Sequence, residues 1–303
     1  MPNVPEKYLI TIAGPTAVGK TTLAIKLAQR FATEIISADS RQFFKELEIG
    51  TAKPSQQELA TVRHHFINSH SISEIYSAGD FERDVLSLLG SLFEKYDYVV
   101  MVGGSGFYIK AILEGLDNLP NPKPGLREEL TLRLEKEGLE VLQKEVLELD
   151  PSFAKTDEWY NPQRVIRALE VYETIGVPIS HFQQKLKKER PFKQISIALD
   201  RKREELYDRI NLRMDEMLQQ GLVQEVKDLA DFKSHHALQT VGYKEVFGFL
   251  DGNYDEKEMV RLLKQNSRRY AKRQLTWFRH QGDFTWFHPD DLEKMIDFIQ
   301  NQV

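Results

Sequence analysis

The segment Gly14-Pro15-Thr16-Ala17-Val18-Gly19-Lys20-Thr21 constrains this chain more than any other, because it matches G-x-x-x-x-G-K-[ST] between a strand signal and a helix signal. Tyr8–Ala13 is a short β-prone run that stops at Gly14-Pro15, and Leu23, Leu27 and Phe31 then recur at helical spacing. Such a loop curls so that backbone N–H groups face inward at a helix N-terminus, which attracts negative charge. Lys20 adds a point charge for the terminal phosphates, and the Thr21 hydroxyl is placed to ligate Mg²⁺. Residues 14–21 are therefore expected to bind phosphate, with Lys20 and Thr21 acting in catalysis as well.

Further strand signals follow at Glu34–Ala38 and Tyr98–Val102, nearly continuous in apolar residues, as parallel strands buried on both faces are. The expected fold is α/β: a parallel sheet flanked by helices, like that of P-loop NTPases. At Pro120-Asn121-Pro122-Lys123-Pro124-Gly125 the pattern changes to charge-rich helical stretches without a strand signal. The organisation predicted is a core of residues 1–119 and 192–303 with a helical insertion domain at 120–191. The core resumes with a strand at Ile195–Leu199, long helices over Glu204–Gln219 and Asp255–His280, and a last strand at Phe284–Phe287.

A chain of 303 residues with 41% hydrophobic and 29% charged residues can fill such a core, and its lack of cysteine excludes disulfides and cysteine-ligated zinc. The N-terminus lacks the basic and apolar segments of a leader, and no stretch reaches the ~18 apolar residues of a membrane span. The expectation is a cytoplasmic monomer without a membrane partner. A formal charge of −5 argues mildly against a nucleic-acid partner, so local patches have to be read.

Loops of this type most often bind ATP or GTP, and that default predicts an acidic residue closing a second buried strand. Here Tyr98–Val102 runs into Gly103-Gly104-Ser105-Gly106. The acid stands instead at Asp39, after Ile35–Ala38, followed by Ser40, Arg41 and Gln42. Since ligands of α/β sheets bind beyond the carboxyl ends of the strands, Asp39, the loop and Gly103–Ser105 should meet in one pocket. An Asp in this place can equally cap a turn.

With these segments in view, the sequence resembles the tRNA dimethylallyltransferase (isopentenyltransferase) family. The likeness is carried by Gly14–Thr21, Asp39-Ser40-Arg41-Gln42, Ile49–Pro54, His64-His65 and Gly103–Tyr108. It continues through Asn161–Tyr172, Val241-Gly242-Tyr243-Lys244-Glu245 and Ala271–Phe278, in order along nearly the whole chain. The resemblance implies transfer of a dimethylallyl group from dimethylallyl diphosphate to the N6 amine of adenosine 37 in the anticodon stem-loop of tRNA. The loop would then hold the diphosphate, and Asp39 would be the base for the amine. It also implies tRNA contacts by Asp39, Ser40, Arg41, Gln42, Ser105, Arg127, Gln163, Arg164, Val165, Ile166, Arg167, Thr240, Val241, Gly242, Tyr243 and Lys244. The family usually has Thr where Ser105 stands, which keeps the hydroxyl, and the missing cysteines exclude a zinc-finger tail, as in bacterial members.

Arg261, Lys264, Arg268, Arg269, Lys272, Arg273 and Arg279 fall in a stretch without an acid, which reads as the RNA-facing surface or as a solvated helix face. Tyr270, Trp277 and Phe278 beside them are expected to pack in the core rather than stack on bases. Arg164 and Arg167 can grip phosphates or pair with Glu170 and Glu173. Arg209 and Arg213 share a helix face directed at diphosphate or at solvent, and His64-His65 is expected to be structural or to line a channel rather than to ligate metal.

Overall fold

The computed structural model describes residues 6–183 and 187–303. Met1–Pro5, part of the N-terminus read above, and Gln184–Leu186 of the expected insertion lie outside the described residues. The chain divides into two compact units, one formed by residues 1–114 and 189–303 and the other by residues 115–188. The second unit thus begins five residues before and ends three residues before the 120–191 read from the sequence. Proline and glycine mark where local structure breaks, whereas the unit boundary follows where packing changes.

The first unit is built on strands β1 (Tyr8–Ala13), β2 (Ile35–Ser37), β3 (His64–His65), β4 (Tyr98–Gly103), β5 (Lys193–Leu199) and β6 (Thr285–Phe287). They lie in the order β3-β2-β4-β1-β5-β6, and every pairing is parallel. All six residues of β1 are buried, which is why its sequence is apolar without alternation. Each fully buried Leu or Ile of this kind contributes about 1.5–3 kcal/mol over leaving it exposed. Helices α1 (Lys20–Arg30), α2 (Gln56–Thr61) and α3 (Ala78–Phe93) connect the first four strands, and α4 (Gly106–Glu114) follows β4. Helices α5 (Leu126–Glu137), α6 (Leu139–Leu149) and α7 (Pro162–Ile175) belong to the second unit. Helices α8 (Arg203–Gln219), α9 (Leu222–Asp228), α10 (Tyr243–Leu250), α11 (Glu256–His280) and α12 (Leu292–Gln300) complete the first.

The strands expected at 8–13, 34–38, 98–102, 195–199 and 284–287 are present within two residues of those limits, as are the helices over 204–219 and 255–280. The edge strand β3 was not foreseen, because two histidines carry no β pattern; their backbones pair with Ile35 and Ile36. The second unit packs Leu126, Leu130, Leu142, Val146, Phe153, Val165, Ile166 and Leu169 into a core of its own. Among the described residues no helix is long and apolar enough to cross a membrane.

Candidate active site

Beyond the carboxyl ends of β1, β2 and β4 lies a cavity of about 140 Å³. Thr16, Lys20 and Thr21 line it from the phosphate loop, Ser37, Asp39, Arg41 and Gln42 from the end of β2, and Val102 and Gly103 from β4. The first turn of the sheet sets the loop's shape. Ala17 and Gly19 take positive φ angles of 62° and 112°, and alternation of this sort turns successive N–H groups toward one concave side. The loop's carbonyls are tied down by cations: Lys20 Nζ donates to Pro15 O at 2.7 Å, Arg209 Nε to Ala17 O at 2.9 Å and Arg201 Nε to Val18 O at 2.9 Å. Thr16 N donates to the side-chain oxygen of Gln274 at 2.9 Å, while Gln274 Nε2 donates to Gly104 O at the same distance. Among the described residues the N–H groups of Ala17, Val18 and Gly19 donate to no protein acceptor, so they are left for an anion.

Charge in this cavity is unbalanced. Burial lowers the Lys20 ammonium to about pKa 7; Asp39 works against that shift, and nearby Arg213 adds to it. Burial likewise lowers the Arg213 guanidinium, with Asp39 opposing. Arg213 reaches in from α8 to Thr16 Oγ1 and Ala52 O, each at 3.4 Å. Two desolvated cations facing one carboxylate make a site for a multiply charged anion.

A pH dependence follows. With a folded-state pKa near 7, Lys20 is largely neutral at pH 8, and a bound diphosphate restores its charge by raising that pKa. Binding of inorganic pyrophosphate at pH 8 should therefore take up about 0.9 proton at Lys20, falling toward none from Lys20 at pH 6, where the ammonium is already charged. Calorimetry in two buffers of different ionisation enthalpy measures this uptake. Equal proton exchange in wild type and Lys20→Met at pH 8 would show that Lys20 is not the group responsible.

Asp39 caps a turn and also faces the cavity. Its Oδ1 accepts the Arg41 N–H at 3.0 Å and so caps the turn after β2. Among the described residues Oδ2 makes no hydrogen bond, and Asp39 lines the cavity. Ser105 Oγ accepts from Ser40 N at 2.9 Å and lies 3.2 Å from Ser40 Oγ, which joins the ends of β2 and β4. Gly103 makes that junction possible: a Cβ there would lie 2.1 Å from Ala38 O. The strand end that carries an acid in NTPases is here held against β2 and has no room for a side chain.

The geometry has counterparts among known proteins. The IPP transferase family model matches residues 42–281. The tRNA dimethylallyltransferase of Cytophaga hutchinsonii is 53% identical over 98% of both chains. This chain belongs to the IPP transferase family. Its structure matches the tRNA isopentenylpyrophosphate transferase of Bacillus halodurans with a TM-score of 0.72 and 37% identity, covering 98% of this chain and 96% of that one. A eukaryotic dimethylallyltransferase described as acting on tRNA matches with a TM-score of 0.79 and 28% identity, covering 97% and 80%. The phosphate loop and Asp39 precede the matched family segment but lie within a chain that the relatives cover almost entirely.

The remaining residues implied by the family likeness fall into several environments. Thr240, Val241 and Gly242 line the cavity, and Lys244 is exposed beside it in sequence. Tyr243 is fully buried and donates to Glu225 at 2.7 Å, so it builds the wall rather than presenting a ring to a ligand. Gln42 spends its amide on Thr51 O and Ala52 O, each at 3.2 Å, and accepts from Ser37 Oγ at 3.2 Å. In the second unit the side chains of Val165 and Ile166 are fully buried in its core and so do not face a partner. Arg127 and Arg167 both bind the fully buried carboxylate of Glu170, and Arg127 also donates to Gln163 at 3.0 Å. Arg164 on the same helix is half-buried.

The basic stretch on α11 is less one-sided than its sequence. Arg261 pairs with Glu258, Lys264 with Asp215 and Arg279 with Asp200, acids that lie outside the stretch. Arg268 donates to Asn211 at 2.5 Å and, like Arg269, Lys272 and Arg273, forms no ion pair among the described residues. Trp277 and Phe278 pack in the core, whereas Tyr270 lines the cavity, its phenol pushed up to about 12 by burial and by Asp39. His65 Nε2 donates to the Glu34 carboxylate at 2.5 Å, while His64 lines the cavity.

Gln274, Arg201 and Glu225 were not singled out by sequence reasoning. A signal existed for Gln274: it falls in the buried stripe Met259, Leu263, Ser267, Ala271, Gln274, Phe278, where a polar residue needs a partner. Nothing in the local sequence marks Arg201 or Glu225, whose bonds to Val18 and to the backbone of Glu48, Ile49 and Gly50 each span more than a hundred residues.

Proposed function

We propose that this chain transfers the dimethylallyl group of dimethylallyl diphosphate to the N6 amine of adenosine 37 in tRNA, with the phosphate loop holding the diphosphate and Asp39 accepting the proton. The observation that carries this reading is one cavity that joins Lys20 and Arg213, the carboxylate of Asp39 and the apolar side chains of Ile210, Met214 and Met217. A prenyl diphosphate has the matching halves: a multiply charged head and a five-carbon apolar tail.

As the C–O bond lengthens, negative charge grows on the departing diphosphate. The loop N–H groups, Lys20 and Arg213 are fixed where that charge develops, so they favour the transition state over the ground state. The adenine amine is a weak nucleophile because its lone pair is delocalised. Asp39 Oδ2 is oriented by the bond that Oδ1 makes with Arg41, and it takes the amine proton as the N–C bond forms. The base has to leave the anticodon-loop stack to reach this cavity.

Thr21, in the first turn of α1 and lining the cavity, offers a hydroxyl oxygen beside the expected phosphates. That donor set suits Mg²⁺, which binds through one or two protein oxygens together with substrate phosphates. When bound, Mg²⁺ would neutralise part of the diphosphate charge. Unmodified tRNA incubated with labelled dimethylallyl diphosphate should acquire label with Mg²⁺ and without ATP, and lose that ability when Mg²⁺ is chelated. Label transfer that required ATP would contradict the assignment of the loop.

RNA contacts are read separately for each unit: Arg268, Arg269, Lys272 and Arg273 on α11 of the first, and Arg127, Gln163, Arg164 and Arg167 on the second. We read the protein as a monomer in the cytoplasm, a reducing compartment that a cysteine-free composition suits. Neutralising Arg269, Lys272 and Arg273 should weaken tRNA binding and flatten the slope of log affinity against log salt, by up to roughly 0.7–0.9 for each RNA phosphate that is no longer neutralised. An unchanged slope would place this face in solvent in the complex.

A further inference from the structure

Two walls of the cavity meet at a residue that does not line it. Gly50, Thr51 and Ala52 form one wall, and Thr240, Val241 and Gly242 form another. Glu225, on α9, binds both. Its carboxylate accepts the backbone N–H groups of Glu48 at 3.2 Å, Ile49 at 2.6 Å and Gly50 at 3.0 Å, and the phenol O–H of Tyr243 at 2.7 Å. Four donors on one carboxylate saturate its strong acceptor positions, and hydrogen bonds to a charged group are the stronger kind. The fit is close as well, since a Cβ on Gly50 would lie 2.6 Å from the Tyr243 ring.

What the first wall does next links Glu225 to the reacting groups. Thr51 O and Ala52 O hold the Gln42 amide, whose oxygen accepts from Ser37 at the end of β2, two residues before Asp39. Ala52 O also accepts from Arg213 at 3.4 Å. The phosphate loop has none of these contacts with Glu225; it is held instead by Arg201, Arg209 and Gln274.

From this arrangement we infer that Glu225 is a positioning residue for prenyl transfer: it fixes the spacing of the two cavity walls, and through Gln42 and Ser37 the alignment of Asp39 with the diphosphate. The inference rests on the function proposed above. It separates two properties that ordinary destabilisation would couple. Loss of the latch should slow the chemical step, because a displacement of ~1 Å at a reacting pair costs about 10²-fold, while the loop keeps its anion affinity.

The test uses the full chain and the variants Glu225→Gln and Gly50→Ala, which disturb the latch from its two sides. Single-turnover prenyl transfer at saturating dimethylallyl diphosphate and tRNA is measured beside the affinity for inorganic pyrophosphate. The expected result is a rate loss of about 10–100-fold in each variant with pyrophosphate affinity within threefold of wild type. A Glu225→Gln rate within twofold of wild type would overturn the inference, and so would parallel loss of rate and pyrophosphate affinity, the mark of a merely structural role. Should Glu225→Gln fail to fold, Tyr243→Phe removes one of the four bonds and keeps the ring. A slower rate with unchanged pyrophosphate affinity then supports the latch, and a wild-type rate overturns it. The wild-type rate in the same assay tests the proposed function separately.

Discussion

Asp39→Asn is expected to bind both substrates and to lose about 10²–10⁴-fold in kcat, a defect of about 3–5 kcal/mol in the transition state. The structure makes this substitution unusually discriminating. Asp39 Oδ1 accepts the Arg41 N–H, and an asparagine oxygen can accept the same bond, so the turn after β2 is retained. Only the ability of the other oxygen to take a proton is lost. If Asp39 merely capped the turn, Asp39→Asn would leave the chemistry untouched, and the cost would appear only in Asp39→Ala, as ~1 kcal/mol of stability. Single-turnover rates beside thermal unfolding separate the two. A stable Asp39→Asn protein with a near wild-type rate would remove Asp39 from the chemical step.

Lys20→Ala is expected to lower kcat by about 10²–10³-fold and to raise the KM for the prenyl donor, since it deletes one fixed donor at the departing diphosphate. Its effect on the protein without substrate should run the other way. The Lys20 ammonium is desolvated enough to bring its pKa to about 7, so the free protein loses an unfavourably placed charge. Thermal stability is therefore expected to be unchanged or higher, and tRNA affinity nearly intact. A variant that unfolds more readily and turns over normally would mean that Lys20 serves the loop's fold through its bond to Pro15 rather than the reaction.

Much of this was legible in the sequence, for identifiable reasons. The strands β1 and β4 are apolar except for Thr11 because both faces are buried, and no helix signal competes with them. The loop was legible because its positive φ angles and its lysine are local requirements. Proximity of Asp39 to the loop followed from a rule about strand ends, and the cavity contains both. What did not show was long-range pairing. The charges of Lys264 and Arg279 looked uncompensated because Asp215 and Asp200 lie on other parts of the chain. Gln42 and Tyr243 looked available to a ligand, but one spends its amide on a neighbouring loop and the other is buried against Glu225. A residue's type and spacing state what it can do; only the fold states which partner has claimed it.

The central claim is that a diphosphate held by the loop and an adenine amine facing Asp39 react in one cavity. Its most direct test is the mass of each nucleoside released from tRNA that lacks the modification, after incubation with the protein, dimethylallyl diphosphate and Mg²⁺. The predicted result is one adenosine of the anticodon loop, position 37, heavier by a dimethylallyl group in place of a hydrogen, with fragmentation placing that group on the base. Adenosine of unchanged mass throughout, or a group attached to another nucleoside or to ribose, would contradict the account.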